Sequence, residues 1–222
     1  MEDSKLSELR NKIDAIDSEL LAMLAARADL VLKVGKLKHE TGCSGNFIRS
    51  GREARMLREL VAKGAGAFPR PAIRAMWRNI ISASLGLEAG LKVALVKSDD
   101  FTQHKDIIEY FGSFTNYSEY KSDDDAIAAI DQYTVCVLNP ESGWWLKLAE
   151  DKSLKIFARI GSQFAIAQVQ PEESGADKTL AITHQDDHVG HRIAIHGKVK
   201  LVEIDGFHRE IKDMVVVGNY GL

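Results

Sequence analysis

A helical N-terminal domain followed by a small α/β domain is the fold class this chain predicts. Three observations carry it. From Leu6 the apolar positions run Leu6, Leu9, Ile13, Ile16, Leu20 and Met23, then Leu30, Val34 and Leu37. The steps alternate three and four, the heptad rhythm of one long helix with an apolar stripe. Turn residues then cut residues 41–90 into two shorter helical segments, and after Ala89-Gly90 short strand-like runs take over. The expected division is therefore a three-helix domain over 1–90 and an α/β domain over 91–222.

Helix one is expected over roughly 4–40. At ~1.5 Å per residue it would be about 50 Å long. Thr41–Asn46, with Gly42 and Gly45, breaks it. Helix two runs from Ser50 to about Lys63, and Ser50-Gly51-Arg52-Glu53 has the spacing of a capping box. Gly64-Ala65-Gly66 ends it, and Pro69 and Pro71 open helix three, which runs to about Glu88. Two short helices cannot cover so long a stripe. The remainder would be a large exposed apolar patch, so a homodimer packed across long helices is expected.

In the second part, Leu91–Val96, Phe114–Tyr120, Val135–Leu138 and Leu154–Ala158 read as strands. Thr102–Tyr110 and Asp123–Ile130 read as helices, the latter with an acidic start suited to the helix dipole. Another helix opens at Trp144–Leu148, and 162–222 reads as several strands with few helices. Trp144-Trp145 reads as core or interface.

Composition limits the function classes. The 222 residues are 45% hydrophobic and 27% charged, as in an ordinary soluble globular protein. A net charge of -3 gives no basic field, so no nucleic-acid partner is expected. Cys43 and Cys136 make no disulfide framework, and a reducing cytoplasmic setting is expected. The start, Met-Glu-Asp-Ser, lacks a signal segment, and no apolar run reaches the ~18–20 residues of a membrane span. His184, His188, His191 and His196 with Asp186 and Asp187 form a metal-like cluster, but strand-like flanks make it a polar turn, and no metal is expected.

The chemistry is signalled by one misplaced residue. Arg27 stands where the stripe of helix one wants an apolar side chain. A buried Arg needs a partner, since an unpaired buried charge is costly. Arg27 and Lys38 are eleven residues apart, only about 20° around the helix, so they share a face. Arg10 lies about 100° from Arg27 and would more easily serve the site of a second copy. Ser84 and Glu88, four apart, lie on the stripe of helix three; Arg52 and Glu53 stand in the first turn of helix two. Cations and acids converging on a helix-walled cavity suit a small dianion with two carboxylates. Each residue alone has a blander reading. Arg27 snorkels or pairs locally, Arg10 pairs with Asp14, Lys38 is a helix-end Lys, Glu53 is only a cap, Ser84 only packs, and Glu88 frays. The agreement of the spacings favours one pocket.

The residues Leu9-Arg10-x-x-Ile13-Asp14-x-Ile16-Asp17, Leu20-Leu21, Arg27, Val34-Gly35-Lys36-x-Lys38, Arg52-Glu53 and Ile80-Ile81-Ser82-Ala83-Ser84 occur in this order. As a set they closely resemble the all-helical chorismate mutases, including the mutase part of bifunctional mutase–dehydratases. The resemblance implies a three-helix protomer, an intertwined dimer, and rearrangement of chorismate to prephenate in aromatic amino acid biosynthesis. It implies that Arg27, and Arg10 of the other protomer, hold the substrate carboxylates. Lys38 would bond a carboxylate and the ether oxygen, Glu53 would take the ring hydroxyl, and Arg52 and Ser84 would complete the pocket. Residue 88 would face the ether oxygen. A unimolecular pericyclic shift requires no base, nucleophile, metal or cofactor. Within the same fold, isochorismate–pyruvate lyase is the near alternative; a non-catalytic chorismate or aromatic amino acid sensor is the distant one.

Two positions depart from the pattern. Many members carry Gln where this chain has Glu88. An ionised Glu88 would repel the charge developing on the ether oxygen, so the expected reactive form carries the proton. Many members carry an acid where this chain has Arg49, which is left as either a carboxylate contact or a solvent-facing side chain. In the second part, Phe111-Gly112, Leu138-Asn139-Pro140 and Trp144 resemble the prephenate dehydratase catalytic domain. Ile204-Asp205-Gly206-Phe207 and Val217-Gly218-Asn219-Tyr220 resemble the end of its amino-acid-binding regulatory module. The dehydratase Thr-Arg-Phe triplet is absent, and Lys97-Ser98-Asp99-Asp100 replaces its Gly-rich segment. The expectation is a shrunken non-dehydratase relative with a regulatory or oligomerising role.

Overall fold

The computed structural model describes residues 2–41, 47–98, 100–186 and 189–222. Helix α1 spans Glu2–Glu40, α2 Ser50–Lys63 and α3 Arg70–Ala89. Strand β1 (Lys92–Val96) follows directly, then α4 (Phe101–Phe111), β2 (Asn116–Tyr120), α5 (Asp123–Ala128) and β3 (Thr134–Leu138). Two 3-10 turns, Pro140–Ser142 and Trp144–Leu146, lead into α6 (Lys147–Glu150). The rest is strand: β4 (Lys155–Ile160), β5 (Gln163–Ala167), β6 (Asp177–Thr183), β7 (His191–His196), β8 (Val199–Asp205) and β9 (Val215–Gly221). The expected break at Thr41–Asn46 falls mostly outside the described residues, as does Cys43; so do Asp187 and His188 of the histidine-rich turn.

The three helices behave as their patterns require, with one correction. Gly64 ends α2 at φ 69°, and Gly90 ends α3 in the left-handed region, where glycine meets no Cβ penalty. Pro69 precedes α3 and Pro71 sits in its first turn. The capping box at Ser50–Glu53 does not form. Arg49 occupies the N-cap without a side-chain capping bond to the helix, and Ser50 and Glu53 are buried. Burial of the first turn wins over a solvated cap.

Helix α1 at ~1.5 Å per residue is almost 60 Å long. It touches α3 only with its C-terminal part; every residue from Ser4 to Ala26 is exposed. Leu9, Ile13 and Ile16 are each 57% exposed. The apolar stripe is real, and no element of its own chain covers it.

The nine strands form one mixed sheet in the order β2-β1-β3-β5-β4-β9-β6-β8-β7. β1 pairs in parallel with β2 and β3, the pattern that helical crossovers α4 and α5 dictate. All five β3 residues are buried, as expected of a continuous apolar run in an interior strand, here between β1 and β5. Asp100 caps α4 by accepting from Thr102 N at 2.9 Å, and Ser122 caps α5 by accepting from Asp125 N at 3.2 Å. Beyond β3 the sheet is antiparallel except where β4 meets β9. The second part is therefore richer in sheet than a small α/β domain implies: after β3, α6 is its only α-helix among the described residues.

Core lies on both sheet faces. One cluster joins Leu138, Trp145, Ile156, Phe164, Leu180 and Leu201; the other joins Val93, Ile107, Phe111, Val135 and Phe157. Trp144 and Trp145 are buried, and their indole N–H groups donate to the carbonyls of Asn139 and Pro140 at 2.7 and 2.8 Å.

The helices dock on the sheet through α2. Arg58 Nη1 donates to the Leu222 carbonyl at 2.7 Å and to Ser174 Oγ at 3.2 Å, and Nη2 donates to the Ser174 carbonyl. Arg55 donates to the Glu173 carbonyl at 3.2 Å. Gly51 lies against the Glu172 carbonyl, where a Cβ has no room.

Candidate active site

A cleft of about 310 Å³ opens where the C-terminal part of α1, the start of α2 and the end of α3 meet. Arg27, Lys38, Arg49, Arg52, Glu53, Ser84 and Glu88 line it, with Leu30, Val34, Met56 and Ile81 as apolar wall. Seven of the eight residues singled out from sequence thus share one cavity. Arg10 is the exception. It is exposed, seventeen residues before Arg27 on the same helix, about 25 Å away along the axis.

Each side chain is positioned by its helix. Eleven residues bring Arg27 and Lys38 to one face of α1; four bring Ser84 and Glu88 to one face of α3. Gly35 lets the two helices approach, since a Cβ there would stand 3.1 Å from the Glu88 carbonyl oxygen. Lys38 Nζ donates to Glu88 Oε1 at 2.6 Å, with both side chains largely shielded. Arg27 Nη1 donates to Ser84 Oγ, and that hydroxyl donates to the Ile80 carbonyl at 2.6 Å. Burial, and then the charge of Arg52, lower the pKa of the Arg27 guanidinium. Arginine remains charged under such a shift.

Glu53 sits deepest. It is 9% exposed, and burial raises its pKa against the opposing pull of Arg78. Arg78 Nη1 donates to Glu53 Oε2 at 3.2 Å, and the same guanidinium lies 4.0 Å from the centroid of the Tyr110 ring. Sequence reasoning missed Arg78. The signal was indirect: a Glu on the buried side of α2 needs a cation, and Arg78 faces it from α3. Arg49 lines the cleft, but its guanidinium is held at 2.9 Å by Glu172 of the segment before β6. Its side chain is still 48% exposed, so it borders the cleft while facing solvent.

Four cations and two carboxylates line the cleft, a formal excess of two positive charges. Such a cavity is matched to a dianion. Among the described residues, no group of three or more His, Cys, Asp or Glu is placed to hold a metal ion. No described helix is long and apolar enough to cross a membrane.

Comparison with known proteins identifies the segment that carries the cleft. Residues 9–89 match the family described as chorismate mutase type II. The chain is 32% identical over 129 residues to a bifunctional chorismate mutase/prephenate dehydratase of Aquifex aeolicus, covering 57% of this chain and 36% of that protein. A protein of the same name from Pseudomonas aeruginosa is 30% identical over 112 residues, 49% of this chain and 31% of that one. The T-protein of Haemophilus influenzae is 43% identical over 63 residues, 28% of this chain and 16% of that one. The chain thus aligns with about a third of the length of the bifunctional relatives. The Aquifex alignment is longer than the mutase-type segment, so that likeness continues into the sheet.

Proposed function

We propose that this protein is a chorismate mutase, an isomerase that rearranges chorismate to prephenate in aromatic amino acid biosynthesis. The observation that carries the reading is the convergence of Arg27, Lys38, Arg52, Glu53, Ser84 and Glu88 on one doubly cationic cleft within the mutase-type segment. Residues 1–90 are the catalytic domain in this reading, and 91–222 a second domain.

The reaction breaks the ether C–O bond and forms a C–C bond within one molecule. No proton, nucleophile or redox partner takes part. Catalysis has to come from holding the compact conformer and from fixed charges aimed at the transition state. Arg27, steadied by Ser84, takes one substrate carboxylate. Lys38 exchanges Glu88 for a substrate carboxylate and the ether oxygen, which gains negative charge as its bond stretches. Glu88, released from Lys38, stands beside that oxygen. Glu53, held by Arg78, receives the ring hydroxyl, and Arg52 closes the rim. Arg49, tied to Glu172, contributes field rather than a direct bond. Enzymes that work this way lower barriers by at least ~8 kcal/mol.

The active unit in this reading is a homodimer with intertwined long helices. A second copy covers the bare stripe of α1 and delivers its Arg10 to the other carboxylate. Purified protein is incubated with chorismate, substrate loss is followed in the ultraviolet, and the product is identified, with Arg27→Ala alongside. Prephenate formation that the variant loses supports the reading. In a parallel incubation with isochorismate, release of pyruvate and salicylate without prephenate from chorismate would replace it with the lyase, and absence of any turnover would leave a sensor.

A further inference from the structure

A second pocket shares no lining residue with the mutase-type cleft. The chain leaves β1 through α4 to reach β2 on one side, then returns through α5 to β3 on the other. The carboxyl ends of β1 and β3 therefore flank a topological switch point, where open α/β sheets bind small molecules. A cavity of about 320 Å³ occupies that crevice, within the size range of metabolite sites.

Its walls are chemically two-sided. Lys97, just past β1, brings positive charge to one part, and His104, on α4, adds an imidazole beside it. Asp123, at the start of α5, and Glu141, after β3, bring negative charge to another. Val96, Ile107, Val137 and Leu138 supply an apolar floor. Gln163 completes the wall. It is 7% exposed, its Nε2 donates to Gln103 Oε1 at 3.3 Å, and its Oε1 has no hydrogen-bond partner among the described residues. A buried acceptor left unmatched at a cavity wall awaits a donor.

We infer that this crevice binds a small zwitterion, an α-amino acid with an apolar side chain. Its ammonium group meets Asp123, Glu141 and the vacant Gln163 acceptor. Its carboxylate meets Lys97 and His104, and its side chain covers the apolar floor. A dicarboxylate does not fit: its second anion would face Asp123 and Glu141.

The test is calorimetric titration of the full-length protein with L-leucine and L-phenylalanine. The controls are 4-methylpentanoate and isoamylamine, which each lack one charge of leucine. At least one amino acid is expected to bind saturably, and the single-charge analogues at least about tenfold more weakly. Lys97→Gln and Gln163→Leu are each expected to weaken binding by about tenfold or more. Gln163→Leu removes the unmatched acceptor together with the bond to Gln103, so its melting temperature is measured beside its binding. Lys97 is exposed, so its variant tests the site even if Gln163→Leu fails to fold. Absence of saturable binding, equal binding of an analogue, preference for malate over both amino acids, or binding unchanged in Lys97→Gln would each overturn the inference.

Discussion

Arg10 and Arg27 should be inactivating apart and complementary together. Seventeen residues of α1 separate them, about 25 Å along the axis, so one chain cannot bring both to one cleft. If the site is shared between copies, each cleft takes Arg27 from one chain and Arg10 from the other. Losing a charge-assisted bond to a substrate carboxylate costs about 1.5–3 kcal/mol. At 1.36 kcal/mol per decade, Arg10→Ala and Arg27→Ala homodimers should each turn over about 10–150-fold more slowly. A heterodimer of one chain of each kind holds one intact cleft and one doubly disabled cleft. It should recover about half the wild-type rate per dimer. Co-expression with two affinity tags isolates that heterodimer, and chorismate loss measures its rate. A heterodimer as slow as its parents, or a fully active Arg10→Ala homodimer, would refute the shared site.

Three further outcomes are expected. Glu88→Gln removes the carboxylate that pairs with Lys38 and puts an amide donor in its place, so chorismate turnover should be retained or raised; a loss of about tenfold or more would mean that the carboxylate itself is required. The buried Glu53 carboxyl has its pKa raised, so the folded chain holds that proton more tightly than the unfolded chain. Its contribution to stability is full below the ordinary carboxylate pKa and is lost as pH rises through the raised value. Melting temperature measured against pH should therefore fall more steeply in this window for wild type than for Glu53→Gln, and parallel curves would contradict the assignment. Arg58→Ala removes three hydrogen bonds between α2 and the sheet and should destabilise the fold by about 2 kcal/mol in urea titration; a change within about 0.5 kcal/mol would mean that this docking contributes little.

The helical part was legible because its information is local. Heptad spacing gave α1, prolines and glycines gave the ends of α2 and α3, and helical angles alone placed Arg27 with Lys38 and Ser84 with Glu88. What failed there depended on tertiary contact. Ser50 and Glu53 have the spacing of a cap, yet burial of the α2 start turned Glu53 toward Arg78, 25 residues away. Arg49 acquired a partner 123 positions later, in Glu172. No local pattern encodes either pairing. In the sheet, individual strands such as β1 and β3 were visible from their apolar runs, but their order was not. The neighbours of β4 are β5, next in sequence, and β9, some sixty residues on. Gly51 and Gly221 mark where α2 approaches the 172–174 segment and the end of β9, a close approach that glycine permits without revealing what approaches.

The place of β9 carries a consequence for biogenesis. It is the latest of the nine strands in sequence, yet it lies between β4 and β6 and alone joins the two blocks of the sheet. While the chain emerges from the ribosome, β4 and β6 present open edges with unpaired backbone groups until residues 215–221 arrive. Such edges are templates for pairing with the wrong chain. The two blocks can form early, but only the arrival of β9 closes the gap between them. Over that interval two unpaired strand edges stand open at once, so wrong pairing has its longest opportunity there.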